Sequence, residues 1–225
     1  MVNISMKDII ILGTGGNSID ILDTISDINI ACGTTVYTCQ GFLDDDDKKW
    51  GMELYGIKVL GPLSSAQIYH NCYFVNGIGS PTSFWRKQQI INQTSLKIDR
   101  FETIIHPTAS VSKISHIGKG VVIFSHVTIA SNVQIGNHVI ILPNTVISHD
   151  NIIGDYTCIA GSVNIAGGVK IGTSCYIGMN ASLIENIKIA GFSLVGMGSV
   201  VLHDVSAHMV VAGNPARALR PMVSP

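Results

Sequence analysis

Apolar residues in the second half of the chain recur every six positions. From Ile105 the step of six lands on Val111, Ile117, Ile123, Ile129, Ile135, Ile141, Ile147, Ile153, Ile159, Ile165, Ile171, Ile177, Leu183, Ile189, Val195 and Val201, so all 17 positions carry Ile, Val or Leu. An amphipathic helix repeats near 3.6 residues and a lone half-buried strand every 2, whereas a fixed six-residue period marks a solenoid of short strands. The residue after the aliphatic one is often small (Gly118, Ala130, Gly136, Gly154, Ala160, Ala166, Gly172), as a tight corner requires. The fourth residue after it is again compact, from Val121 through Thr145 and Thr157 to Ser199, and supplies an inner layer. Three hexads make one triangular coil, so residues 18 apart stack at about 4.8 Å, the ordinary strand spacing. The run predicts between five and six coils. Its aliphatic positions are core filler, so chemistry has to come from residues that break the pattern at the corners.

The first 98 residues follow another pattern. Residues 7–25, KDIIILGTGGNSIDILDTI, pass from a strand through a glycine turn into a helix with Ile19, Ile21, Leu22 and Ile25 on one face. Such a unit brings backbone N–H groups and a helix N-terminus toward an anion. A second strand is predicted to end at Gly41-Phe42-Leu43, just before the run Asp44–Asp47. A third, Tyr73-Phe74-Val75, ends at Gly77-Ile78-Gly79, with a helix over Trp85–Gln93 after it. The expectation is a small α/β domain over residues 1–98, with a Rossmann-like parallel sheet, and an all-β domain over residues 99–225. The first is too short for two mononucleotide-binding halves, and Asp46 and Asp47 read as a solvated loop.

Composition narrows the function. A formal net charge of −1 with 13% charged residues excludes a general nucleic-acid binder. Hydrophobic content of 46% with only 6% aromatic residues and 23 glycines suits short aliphatic strands and turns. The five cysteines have no CxxC spacing, which fits a reducing compartment. No apolar run approaches the roughly 20 residues of a membrane-spanning helix, and the N-terminus has no secretory leader pattern. The expected location is cytoplasmic, with no membrane partner.

Among eight histidines, His149 stands apart because it lies at a corner of the coil directly before an acidic residue, in Val146-Ile147-Ser148-His149-Asp150-Asn151. Imidazole accepts protons near neutral pH and suits a general base. A carboxylate on its other ring nitrogen fixes the tautomer, and Asp150 is the candidate. Adding 18 to 149 gives Gly167, so the neighbouring coil has no side chain over the histidine and offers an N–H to an oxyanion.

The unbroken hexad run, with Ala212-Gly213-Asn214-Pro215-Ala216-Arg217 after it, resembles the hexapeptide acyltransferases, whose coils wind as a left-handed parallel β-helix. A small nucleotide-binding-like domain in front of it is similar to the family that acetylates sugars for bacterial surface glycans, such as lipopolysaccharide O-antigen, and sialic acids. That family includes N-acetyltransferases of the bacillosamine, perosamine and viosamine type. The resemblance implies acetyl-CoA as co-substrate, a nucleotide-linked 4-amino-4,6-dideoxy sugar as acceptor and direct transfer with His149 as base. It also implies a homotrimer with active sites between subunits, and no metal. By the same resemblance Gly15, Gly16, Asn17 and Gly79 contact the diphosphate or sugar, with Asn17 where relatives often have His. Asp44 and Asp45 take the base or ribose, and Cys158, Met179, Met197, Pro215 and Arg217 take acetyl-CoA. Three alternatives remain: O-acetylation of sialic acid or another sugar, a purely structural or regulatory β-helix protein that binds no acyl-CoA, and a metal-dependent hydratase resembling γ-type carbonic anhydrase. The hydratase needs His126, His138 and His149 to converge between subunits.

Overall fold

In the computed structural model, which describes residues 6–222, every aliphatic hexad position closes a two-residue strand, from Ile104–Ile105 to Val200–Val201. Each strand from Ile104–Ile105 to Ser182–Leu183 pairs in parallel with the one 18 residues on, as Thr128 with Val146 and Val146 with Asn164. The last coil shortens the step, so that Leu194 pairs with Val210. The coils form a left-handed parallel β-helix with three flat faces. The first face carries Val122–Ile123, Ile140–Ile141 and Cys158–Ile159, the second Thr128–Ile129 and Val146–Ile147, and the third Gln134–Ile135 and Ile152–Ile153. Inside, Ile123, Ile141 and Ile159 stack above one another and pack with Val121, Val139 and Val163 in one buried core. Each corner from Gly120 to Gly198 places one residue at positive φ, for example Asn144, Asp150 and Asn180. Asn and Asp tolerate that left-handed conformation better than other side chains do.

The N-terminal sheet differs from the wholly parallel one expected. Strands β1 (Lys7–Leu12), β2 (Tyr37–Leu43), β3 (Glu53–Leu54), β4 (Ile57–Gly61) and β5 (Tyr73–Asn76) lie in the order β3-β4-β2-β1-β5. Four of them are parallel, but β3 runs antiparallel to β4 at the edge. The cause is the Tyr55-Gly56 turn, where φ is 51° and 79°. Two consecutive residues at positive φ make the tight turn that suits a hairpin. Helix α1 (Gly16–Cys32) crosses from β1 to β2, and the short helix α2 (Lys87–Asn92) follows β5.

The sheet and the β-helix share one apolar interface. On the first face the outward residues Ile104, Val122 and Ile140 are buried against Ile9, Ile21, Ile25 and Ile28. Polar contacts frame this packing. His106 Nε2 meets Asp27 Oδ2 at 2.8 Å, and Lys7 Nζ and the Tyr37 hydroxyl both donate to Glu102. Lys87 is fully buried, with its Nζ 3.5 Å from Cys158 Sγ. At the far end, Met209–Gly213 pairs with Leu194–Val195, and Ala216–Pro221 turns back antiparallel to it. The Ala212–Arg217 segment therefore forms the closing hairpin. Among the described residues no helix is long and apolar enough to cross a membrane.

His138 lies in this interface, edge-on to Phe101 at 4.5 Å and stacked on Tyr156 at 5.2 Å. Its Nδ1 is buried without a hydrogen-bond partner among the described residues. Burial, with the neighbouring Lys87 adding to it, pushes the imidazole from its ordinary 6.5 down to about 4. Between those two values the unfolded chain binds a proton that the folded chain refuses, so stability falls as pH drops through that window. His138→Phe keeps the ring packing and removes the titration. Its melting temperature should decline less steeply than that of the wild type between pH 6.5 and 4; parallel curves would contradict this account.

Candidate functional site

Strands β1, β2 and β5 end on the same side of the sheet, where a cavity of about 710 Å³ opens toward the first face of the β-helix. Ligands of open parallel sheets bind outside the carboxyl ends of the strands, where the strand order reverses. The chain brings Gly15, Gly16, Asn17, Asp44, Asp45 and Gly79 together in this wall. Helix α1 starts there with Gly15 as its N-cap and no side chain on its first N–H groups. A Cβ at Gly15 or Gly16 would meet nothing within 4 Å, so the backbone is open to a ligand. Asn17 Nδ2 donates to Gly79 O at 3.3 Å, tying the first loop to the third.

The two acids are pinned rather than loose. Asp44 Oδ2 accepts from the Thr14 hydroxyl at 2.5 Å, and Oδ1 accepts from the Asp46 N–H at 3.0 Å. Burial alone would raise this carboxyl, but Thr14, Asp46 and Lys49 together hold it below the ordinary carboxylate range. Asp45 Oδ1 accepts the Leu63 N–H at 2.9 Å. Sequence reasoning missed Thr14, Lys49, Arg86, Leu142 and Tyr176, which also line the cavity. Thr14 was findable inside the glycine turn. Leu142 and Tyr176 come from the β-helix and enter the cavity only through packing.

His149 and Asp150 lie elsewhere, at the corner where the second face turns into the third. His149 Nδ1 is 2.7 Å from Asp150 Oδ2, and both side chains are open, at 64% and 54% exposed. The short aspartate reaches its neighbour because it stands in the left-handed corner conformation, at φ 61°. An ionised carboxylate only accepts, so Nδ1 carries the proton and Nε2 is left as the acceptor. The Asn132 amide first, and His149 second, hold the Asp150 carboxyl below its ordinary range. Gly167 lies directly against the imidazole: a Cβ there would come within 2.7 Å of His149 Cε1. Its N–H makes no hydrogen bond among the described residues.

The residues assigned to the coenzyme divide. Met179 and Met197 stack at the corner between the first and second faces, 48% and 75% exposed, and Pro215 and Arg217 are exposed on the closing hairpin. Cys158 does not join them. It is 3% exposed, sealed between Gly79 and Lys87, and presents no surface to a coenzyme. The metal reading also loses its geometry. His126, His138 and His149 occupy three different corners of the coil, and His138 is buried inside the chain, where it cannot reach a metal shared between subunits.

Residues 114–149 match the family model described as bacterial transferase hexapeptide (six repeats). That match lies within the β-helix, to whose first face the small α/β domain is docked. Over 43 residues the chain is 49% identical to 2,3,4,5-tetrahydropyridine-2,6-dicarboxylate N-acetyltransferase of Clostridium perfringens, covering 19% of this chain and 18% of that protein. Over 45 residues it is 47% identical to Serine acetyltransferase 2 of Arabidopsis thaliana, covering 20% and 14%. The matches thus span less than a fifth of the length of these relatives.

Solved structures share the fold over nearly the whole chain. The acetyltransferase domain of PglB from Neisseria gonorrhoeae superposes with a TM-score of 0.77 at 22% identity, covering 95% of this chain and 100% of that one. PerB from Caulobacter crescentus, solved with CoA and GDP-perosamine, gives 0.80 at 24%, covering 96% and 99%. WeeI from Acinetobacter baumannii gives 0.79 at 23%, covering 96% and 100%.

One further residue shapes the His149 corner. Asn151 is fully buried in the small inner layer. Its Nδ2 donates to Ser148 O at 2.6 Å and Ala166 O at 3.0 Å, and its Oδ1 accepts from the Val169 N–H at 2.8 Å. An amide among aliphatic and hydroxyl residues was the available signal. Asn151→Leu strands these backbone groups and should destabilise the fold by about 3 kcal/mol. An unchanged urea midpoint would show that the corner does not depend on them.

Proposed function

We propose that this protein is an acetyl-CoA-dependent N-acetyltransferase acting on a nucleotide-linked 4-amino-4,6-dideoxy sugar of bacterial surface glycan synthesis. The observation that carries this reading is the His149–Asp150 pair lying against the bare backbone of Gly167. The arrangement fits acyl transfer to an amine. The amine nitrogen attacks the thioester carbon, and His149 Nε2 takes the proton that the nitrogen loses. Asp150 holds Nδ1–H and supports the imidazolium. The Gly167 N–H donates to the oxyanion. As the C–S bond breaks, the coenzyme thiolate leaves and takes up the proton from the imidazolium. The C–N bond then belongs to the product amide.

The cavity suits the nucleotide half of the acceptor. Helix α1 directs uncapped N–H groups toward it, as a diphosphate requires. Asp44 and Asp45 accept hydrogen bonds from ribose or base, and Asn17 and Gly79 lie beside them. PerB, similar in fold, was solved with CoA and GDP-perosamine bound, which supports the pairing of ligands. Met179, Met197, Pro215 and Arg217 are assigned to the coenzyme, with the guanidinium available for a phosphate.

This reading requires more than one subunit. The cavity opens against the first face, whereas His149 projects from the corner opposite that face, so one chain does not bring its own acceptor to its own base. Exposed Val146, Ile152 and Ile184 around that corner fit coverage by a neighbour. A cytoplasmic homotrimer, with each site built from two subunits, satisfies these requirements.

His149→Ala should lower kcat by about 10²–10⁴-fold with little change in either KM, as expected for a positioned base. Asp150→Asn should cost less. Light scattering should report a trimer. A thermal-shift screen of UDP, GDP and dTDP, each with and without coenzyme A, should show stabilisation by one nucleotide. Near wild-type turnover in His149→Ala, with chemistry rate-limiting, would remove the assignment. Coenzyme A binding with indifference to all three nucleotides would favour O-acetylation of a free sugar.

A further inference from the structure

Asp150 stands in a column of corner residues 18 apart: Asn132, Asp150, Gly168 and Asn186, with φ of 57°, 61°, 71° and 63°. Its two carboxylate oxygens face different partners. Oδ1 accepts from Asn132 Nδ2, one coil away, at 2.7 Å, and Oδ2 meets His149 Nδ1 at 2.7 Å. On its other side the column is interrupted, because Gly168 has no side chain. Asn186 leans into that gap, with Oδ1 2.5 Å from where a Gly168 Cβ would be. No side chain from the Gly168 coil therefore competes for Oδ2.

An aspartate that is 54% exposed has several rotamers available, and only some of them reach the imidazole. A second anchor selects among them. We propose that Asn132 is a positioning residue for acyl transfer, which fixes the Asp150 rotamer so that Oδ2 holds His149 with Nδ1 protonated and Nε2 free. The inference rests on the reading of His149 as base and extends it to a residue 17 positions earlier in the sequence. The charge state agrees: the Asn132 bond is the larger of the influences that keep Asp150 ionised. An ionised carboxylate is the form that accepts from Nδ1–H and supports an imidazolium.

The test uses Asn132→Gly, since glycine takes the positive φ without strain and removes the side chain that holds Asp150. Turnover is measured as coenzyme A release from acetyl-CoA. The acceptor is a 4-amino-4,6-dideoxyhexose linked to whichever nucleotide the thermal-shift screen selects. We expect kcat to fall about tenfold, the loss of one charge-assisted hydrogen bond. Both KM values should stay within about twofold and the melting temperature should change little. In an Asp150→Asn background the same substitution should have no further effect, because Asn132 acts through Asp150. Asn132→Asp, which sets two carboxylates face to face, should lose at least as much.

Wild-type kcat in Asn132→Gly, or a fully additive loss in the double variant, would overturn the proposal. Loss in His149→Ala and Asp150→Asn without loss in Asn132→Gly overturns this proposal alone. Wild-type turnover in all three overturns the underlying reading as well.

Discussion

In the coils, backbone N–H and C=O groups of one turn find their partners in the turns on either side. Val146 N donates to Val163 O, Ile152 N to Val169 O and Cys158 N to Cys175 O, and the same pattern runs the length of the solenoid. A buried backbone group without a partner is costly, so the coils cannot slip past one another by a single residue. The 18-residue register is therefore a hard constraint, and it fixes what each corner side chain has for neighbours. His149 has Gly167 beside it for this reason, and Asp150 has Asn132 on one side and Gly168 on the other.

The site is made as much by missing atoms as by present ones. A Cβ at position 167 would occupy the space of the imidazole, and one at 168 would collide with Asn186. The adjacent glycines thus interrupt two columns at once. One interruption leaves a flat backbone against the His149 ring, and the other leaves Asp150 without a side-chain neighbour on that side. The rigid part of the arrangement lies underneath, where Asn151 holds the carbonyls of Ser148 and Ala166 and the N–H of Val169.

The β-helix was legible because its signal is local and repeated. The stack of His149 on Gly167 followed from arithmetic on the same period. The glycine turn and the acids after β2 were legible as the ends of strands that share one edge. The Tyr55-Gly56 hairpin was not, because a tyrosine at positive φ announces nothing in a sequence. The choice of covered face was also missed, although Ile104, Val122 and Ile140 sit at outward positions where the other two faces have Thr128, Asn164, Gln134 and Lys170. Cys158 was given to the coenzyme because position along the coil does not reveal burial by a loop 79 residues earlier in the chain. Contacts between segments far apart in sequence leave no periodic trace.

A parallel solenoid has an inherent hazard, since its last strand presents unpaired backbone groups that can accept another chain. Here Met209–Gly213 occupies that edge on the first face, and Ala216–Pro221 folds back against it in the opposite direction. The new outer edge carries Arg217, Arg220 and Pro221, charged and proline residues of the kind that discourage strand addition. The hairpin thus closes the sheet of the first face, whereas the sheet of the second face ends on Val200–Val201. A chain that lost it would expose Leu194–Val195 as an open end, and assembly into end-to-end fibres would compete with assembly side by side.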